Sequence, residues 1–131
     1  MAYCRVEDLD VYKLAERVGD AVWKIVVQWS HFERSTVGSQ LTRSADSIGA
    51  NIAEGAGRGS FNDNKRFVRI ARGSLNETRF WLRRACTRNL MTKQQADELK
   101  PLFDELAPKL NAYLKSIGPS TKDNQQRTKD I

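Results

Sequence analysis

The stretch SADSIGANIAEGAGRGS, residues 44–60, decides how the rest of the chain is read. Its four glycines invite comparison with a phosphate-cradling loop. Such a loop needs G-x-x-x-x-G-K-[ST] after a strand, or G-x-G-x-x-G between a strand and a helix. Gly55-Ala-Gly57-Arg-Gly59-Ser60 fits neither spacing. What precedes it is not a strand either: Leu41, Ala45, Ile48 and Ile52 recur at steps of four, three and four, the period of a helix over about 39–57. The glycines are then expected to end that helix through left-handed backbone angles, which only glycine adopts cheaply. Ser60 is placed to cap the next one.

Beside the apolar stripe runs a polar one. Ser44, Ser47, Asn51 and Glu54 step by three, four and three. The following helix offers Ser74 within its apolar seam, preceded by Gly73 and followed by Glu77. Small residues allow close approach, and the expectation is a structural polar network of Ser47, Asn51, Glu54, Ser74 and Glu77 across the contact. A plain solvated face and a ligand site stand as the alternatives.

Outward from this stretch the chain reads as all-α, and no strand pattern competes. Leu14, Val18, Ala21, Ile25 and Trp29 mark a first helix over about 7–29, and SHFERSTVG is a connection punctuated by Gly38. Phe67, Ala71, Ser74, Thr78, Trp81 and Ala85 mark a third helix over about 61–88, about 40 Å long. Thr92-x-x-Gln95 is a capping box opening a fourth helix over about 93–117, seamed by Leu99, Phe103, Leu106, Leu110, Tyr113 and Ile117. Pro108 falls inside this pattern and is expected to bend or interrupt the helix, whereas Pro101 lies near its first turns. Four amphipathic helices with short connections bury their seams most simply as an antiparallel up-down four-helix bundle. That assigns residues 1–118 to one domain and 119–131 to a flexible polar tail.

Composition agrees with a single domain of 131 residues, 40% of them hydrophobic. No apolar run approaches a membrane span. The N-terminal MAYCRVEDLD lacks a secretory core, so a cytoplasmic location is expected. Cys4 and Cys86 have no metal spacing and read as idle thiols, with a disulfide as the alternative. Chemistry finds little to work with. His31 is the only histidine, which leaves no His-based metal cluster and only a weak basis for a nucleophilic triad. Glu54 and Glu77 lack the histidines of a di-metal carboxylate motif. No catalytic residue, metal or cofactor is assigned, and the protein is expected not to be an enzyme.

Charge supplies the positive signal. Of a net +6, the segment from Arg58 to Arg88 carries +7, with nine Lys or Arg residues against Asp63 and Glu77. Lys65, Arg69, Arg72, Asn76, Arg79 and Arg83 step by four and three along the third helix, on what should be its outer face. Arg58, Arg66, Arg84 and Arg88 extend and widen the stripe. Guanidinium groups suit bidentate phosphate contacts and stacking on bases, so these nine residues are the expected nucleic-acid-binding set. Pairing with acidic faces of a partner or a sister subunit is the alternative, and plain solvation a third.

The succession Gln40-Leu-Thr-Arg43-Ser-Ala45-Asp-Ser47-Ile48-Gly-Ala-Asn51-Ile52-Ala53-Glu54-Gly55, then Arg58-Gly-Ser60, Phe67, Ile70-Ala71 and Gly73-Ser74-x-x-Glu77, resembles the four-helix-bundle proteins encoded in 23S rRNA intervening sequences. Asp8-Leu9-Asp-Val11-Tyr12-Lys13 fits the opening of the same family. More distantly, the chain is similar to the accessory variability proteins of diversity-generating retroelements. The resemblance covers about residues 6–117. It implies an antiparallel bundle assembling as a homopentameric barrel, with no enzymatic activity. Its retroelement relatives look like basic assemblies that bind nucleic acid and a reverse transcriptase. Charge does not decide between RNA and DNA; RNA is favoured over DNA, with a reverse transcriptase as a protein partner to consider. Ser47, Asn51, Glu54, Ser74 and Glu77 belong to the family pattern, whereas the individual arginines carry over less securely. Pro108 and the polar tail depart from it.

Overall fold

In a computed structural model, which describes residues 5–119, four long helices carry the chain. They are α1 (Asp10–Val26), α2 (Ser39–Ala56), α3 (Phe61–Thr87) and α4 (Lys93–Ser116), and no strand occurs among the described residues. Each helix turns one stripe inward: Val18 and Val22 from α1, Leu41, Ile48 and Ile52 from α2, Val68 and Leu75 from α3, and Leu106 and Leu110 from α4 are all fully or almost fully buried. Each such side chain removed from water is worth about 1.5–3 kcal/mol, which makes this seam the main source of stability. None of the helices is long and apolar enough to cross a membrane. The sequence-expected tail lies, from residue 120 onward, outside the described residues, as does Cys4.

The first helix is shorter than the span expected from periodicity. Val6–Asp8 form a single 3-10 turn, and Leu9 is extended at φ −74° and ψ 128° before α1 begins. The break lets Val6 and Leu9 both pack on the core, which one continuous helix rotation would not arrange. After α1, the expected irregular connection is itself largely helical. A turn at His31–Glu33 passes into a widened π-type segment, Arg34–Gly38, and on into α2. Within it the hydroxyls of Ser35 and Thr36 both donate to the Phe32 carbonyl, at 3.1 and 2.7 Å, competing with backbone N–H groups for that oxygen. Gly38 is not punctuation: its backbone is helical, at φ −60° and ψ −43°. A Cβ there would stand 2.8 Å from Val26 Cγ1 and 3.0 Å from the Glu33 carbonyl, so glycine is required by close packing.

The exit from α2 also differs from expectation. Gly57 closes the helix with right-handed angles, φ −84° and ψ −2°. Gly55 lies inside α2, where a Cβ would meet Asn64 Oδ1 at 2.6 Å and Phe67 Cβ at 2.9 Å. It therefore allows α2 and α3 to approach instead of turning the chain. Among the described non-glycine residues the left-handed one is Asn89, at φ 60°. It follows α3 and forms a Schellman closure, Leu90 N–H donating to the Ala85 carbonyl at 2.9 Å and Asn89 N–H to Cys86 at 3.1 Å.

Both sequence-expected caps are present: Ser60 Oγ accepts from Asp63 N–H at 3.1 Å, and Thr92 with Gln95 makes a reciprocal capping box. Pro108 does not interrupt α4, which runs from Lys93 to Ser116 through both prolines. Pro101 and Pro108 are two turns apart and both exposed, so the carbonyls they leave unpaired face water on the solvent side.

Candidate nucleic-acid interface

The contact between α2 and α3 fixes where every α3 cation stands. Ser47 Oγ and Ser74 Oγ are 2.9 Å apart, and Asn51 Nδ2 donates to Ser47 Oγ at 2.9 Å and to the Ser47 carbonyl at 2.8 Å. One turn along, Thr78 Oγ1 donates to Ser44 Oγ at 3.0 Å and lies 2.7 Å from the Ser74 carbonyl, while Ser44 Oγ in turn reaches the Leu41 carbonyl at 3.1 Å. Ser44, Ser74 and Thr78 are buried. Residue numbers fall along α3 as they rise along α2: 44 meets 78, 47 meets 74, and 55 meets 64 and 67.

Of the five residues expected in this network, Ser47, Asn51 and Ser74 are brought together. Glu54 and Glu77 are not. Glu54 Oε1 is exposed and accepts from Arg58 Nη2 at 2.6 Å, and Glu77 Oε1 takes a long bond from Trp81 Nε1 at 3.4 Å. Each lies one helical turn from its partner, so both carboxylates stay at the rim, in water. The Ser44–Thr78 pair was missed as a unit. Both side chains were visible in their own helical rhythms, but pairing them requires the register of α2 on α3.

The basic stripe is not one outer face. Lys65, Arg72 and Arg79, spaced by heptads, lean toward α4. Lys65 Nζ is 3.9 Å from where a Cβ of Gly118 would stand, Arg72 Nη1 donates to Asn111 Oδ1 at 3.4 Å, and Arg79 Nη2 approaches the Phe103 carbonyl at 3.5 Å. With α2 occupying one side of α3, the next groove round belongs to α4, and these long side chains lie along it. Arg58 and Arg66 gather elsewhere, stacked over the Phe67 ring at 4.7 and 4.6 Å from its centroid. Arg69, Arg83 and Arg88 point to solvent, and Arg84 is half-buried.

Counter-ions are scarce. Arg58 pairs with Glu54, and Arg66 sits 3.9 Å from Asp63. Lys65, Arg69, Arg72, Arg79, Arg83, Arg84 and Arg88 have no carboxylate in ion-pair range among the described residues. Where the second half of α3 faces the first half of α4, a groove of about 700 Å³ opens over Leu82, Met91, Leu99 and Phe103. Its rim carries Arg79, Arg83, Arg84 and Lys100, with Cys86 at the mouth. The single acid of the lining, Asp104, is bonded to Lys100 at 2.8 Å and through that hydrogen bond raises the lysine pKa.

Among the described residues no group of three or more His, Cys, Asp or Glu side chains is placed to hold a metal ion. Asp46 is a carboxylate held above its ordinary range. Burial against Gly19 disfavours its charge, and Asp20 nearby adds repulsion.

A family model for the 23S rRNA-intervening sequence protein matches residues 7–112. The chain belongs to that family. All nine α3-segment cations, the hydroxyl seam and both walls of the groove lie inside the matched segment, so they are features of the family domain in this chain. Among solved structures, the chain is similar to a protein of unknown function from the S23 ribosomal protein family of Bacteroides thetaiotaomicron. The two are 23% identical, with a TM-score of 0.71 over 81% of this chain and 99% of that one. That likeness is one of helical fold. No curated protein matches.

Proposed function

We propose that this member of the 23S rRNA-intervening sequence family is a non-enzymatic, cytoplasmic, oligomeric bundle that binds structured RNA, and DNA less well, through the cations of the α3 segment. The observation carrying this reading is the set of seven Lys and Arg side chains without a carboxylate partner among the described residues. A merely solubilising surface usually intersperses both signs of charge, whereas the segment from Arg58 to Arg88 has only Asp63 and Glu77 against nine cations. Here they stay available to phosphate, the partner that guanidinium geometry suits best. The reversed numbering of contacts between α2 and α3 supports an antiparallel up-down arrangement. A pentameric barrel follows from the resemblance, and the exposure of Trp23 (57%) and Phe32 (71%) supports an assembly that covers them. The distant similarity to retroelement accessory proteins favours the same class of partner and adds a reverse transcriptase as a protein to test.

Those two exposed aromatic side chains also favour a second reading, a protein-interaction scaffold whose cations pair with sister subunits or an acidic protein. Arg69, Arg83 and Arg88 separate the two readings. All are exposed and make no ion pair among the described residues, so reversing them to Glu leaves the fold intact. Binding of a generic structured RNA at low salt, lost in the triple variant while its mass in solution is unchanged, supports the RNA reading. Folded wild-type protein that binds no RNA at low salt ends it, and a triple variant that changes oligomeric mass instead supports the scaffold.

A further inference from the structure

We infer that the groove between α3 and α4 takes an unpaired nucleotide of the bound RNA, its base against the apolar floor and its flanking phosphates on the arginine rim. The inference deepens the RNA reading and rests on it. Three observations converge. The groove's volume, about 700 Å³, falls in the range of small-molecule sites, and its floor of Leu99, Phe103 and Met91 suits a flat, largely apolar body. Its rim holds Arg79, Arg83 and Arg84, none with a carboxylate in ion-pair range among the described residues, so an occupant with negative charge beside its apolar part matches it best. The same rim continues Lys65 and Arg72, which lean on α4 from the other half of α3, so a phosphate backbone lying along this seam passes the groove.

A nucleotide combines both requirements in one unit. In a continuous duplex the base is stacked and paired, out of reach of a recessed floor. In a loop or bulge it is free to leave the stack, and such bases are commonly held between apolar or guanidinium surfaces. The site therefore predicts preference for RNA with unpaired residues over unbroken duplex carrying the same number of phosphates. An acidic amphipathic peptide also brings charge and apolar or aromatic surface, but the row of cations continuing along α3 favours a nucleotide chain, whose backbone supplies a phosphate at every residue.

Cys86 lines the mouth and is exposed, which provides a direct reporter. In full-length Cys4→Ser protein, the rate of Cys86 alkylation is measured with a bulged hairpin RNA and with a perfect duplex of equal length, each at saturation. The expected result is at least fivefold protection by the bulged RNA and little by the duplex. A second variant, Cys86→Trp, fills the mouth without removing a cation. It should lower affinity for bulged RNA to the duplex level and leave duplex affinity unchanged. If the variant fails to fold, the alkylation comparison decides alone. Equal protection by both RNAs, or none by either while both bind, overturns the groove assignment and leaves the RNA reading standing. Absence of binding to both overturns that reading as well, and protection by an acidic peptide instead assigns the groove to a protein.

Discussion

Thr78 shows how much one hydroxyl can decide. It is wholly buried, donates to Ser44 Oγ at 3.0 Å and sits against the Ser74 carbonyl. Thr78→Val keeps the shape but removes the donor, leaving Ser44 without that partner inside the contact. The expected cost is about 1–3 kcal/mol of unfolding free energy in denaturant titration. Adding Ser44→Ala should recover part of the loss, because both polar atoms are then gone together, and a strictly additive double variant would refute the pairing. Asp46 makes a different residue-scale prediction. Its folded pKa is raised above the unfolded value, so the protonated form is the one folding favours. Stability from this site is present below the ordinary carboxylate pKa and is lost as pH rises through the raised value. Asp46→Asn should raise the melting temperature at neutral pH and shrink the difference between acidic and neutral pH. Pattern alone exposed Ser47, Asn51 and Ser74, because a polar stripe of small residues is odd on a surface. It could not exclude Glu54 and Glu77, since helical spacing says which side of a helix a residue occupies but not how far its end extends into water.

Among the elements, α3 and α4 were legible because their signals are local: a Ser60 cap, a Thr92–Gln95 box and long runs of three- and four-residue steps. Where tertiary contact decides, periodicity misled. Gly38 and Gly55 look like breaks in one dimension and are packing contacts in three. Pro108 looks like a breaker, yet its side of α4 faces water, where an unpaired carbonyl costs little. The end of α3 was the reverse case, closed by Asn89 with no glycine to announce it. Asn tolerates this left-handed conformation better than most residues, whereas a Cβ-bearing residue without its polar side chain pays about 1–2 kcal/mol. Asn89→Ala should therefore lower unfolding free energy by about that amount and Asn89→Gly should not, with both read by thermal melts.

For the whole molecule, the charge concentration was readable from composition, but its distribution was not. The stripe divides into a pair stacked on Phe67, a row along α4 and solvent-facing arginines, because α2 and α4 take up much of the perimeter of α3. If the cations bind phosphate, binding releases counterions condensed on the RNA, so affinity must fall as the salt concentration rises. Arg69→Gln, Arg83→Gln and Arg88→Gln together should flatten the plot of log K against log salt by about 2 to 3. An unchanged slope, with binding intact, would place the contacts elsewhere.

The hydroxyl seam has a consequence for the thermodynamics of any partner. A basic segment that orders only on binding loses about 1–2 kcal/mol of backbone entropy per residue at that moment. On α3 that loss falls on folding, because Ser47–Ser74 and Ser44–Thr78 already clamp the helix to its neighbour. The 27 residues of α3 thus present their cations at fixed intervals, as a rigid comb instead of an adaptable tail. A partner whose charges match that spacing gains the full interaction, and one that does not must bear the whole cost of deforming itself.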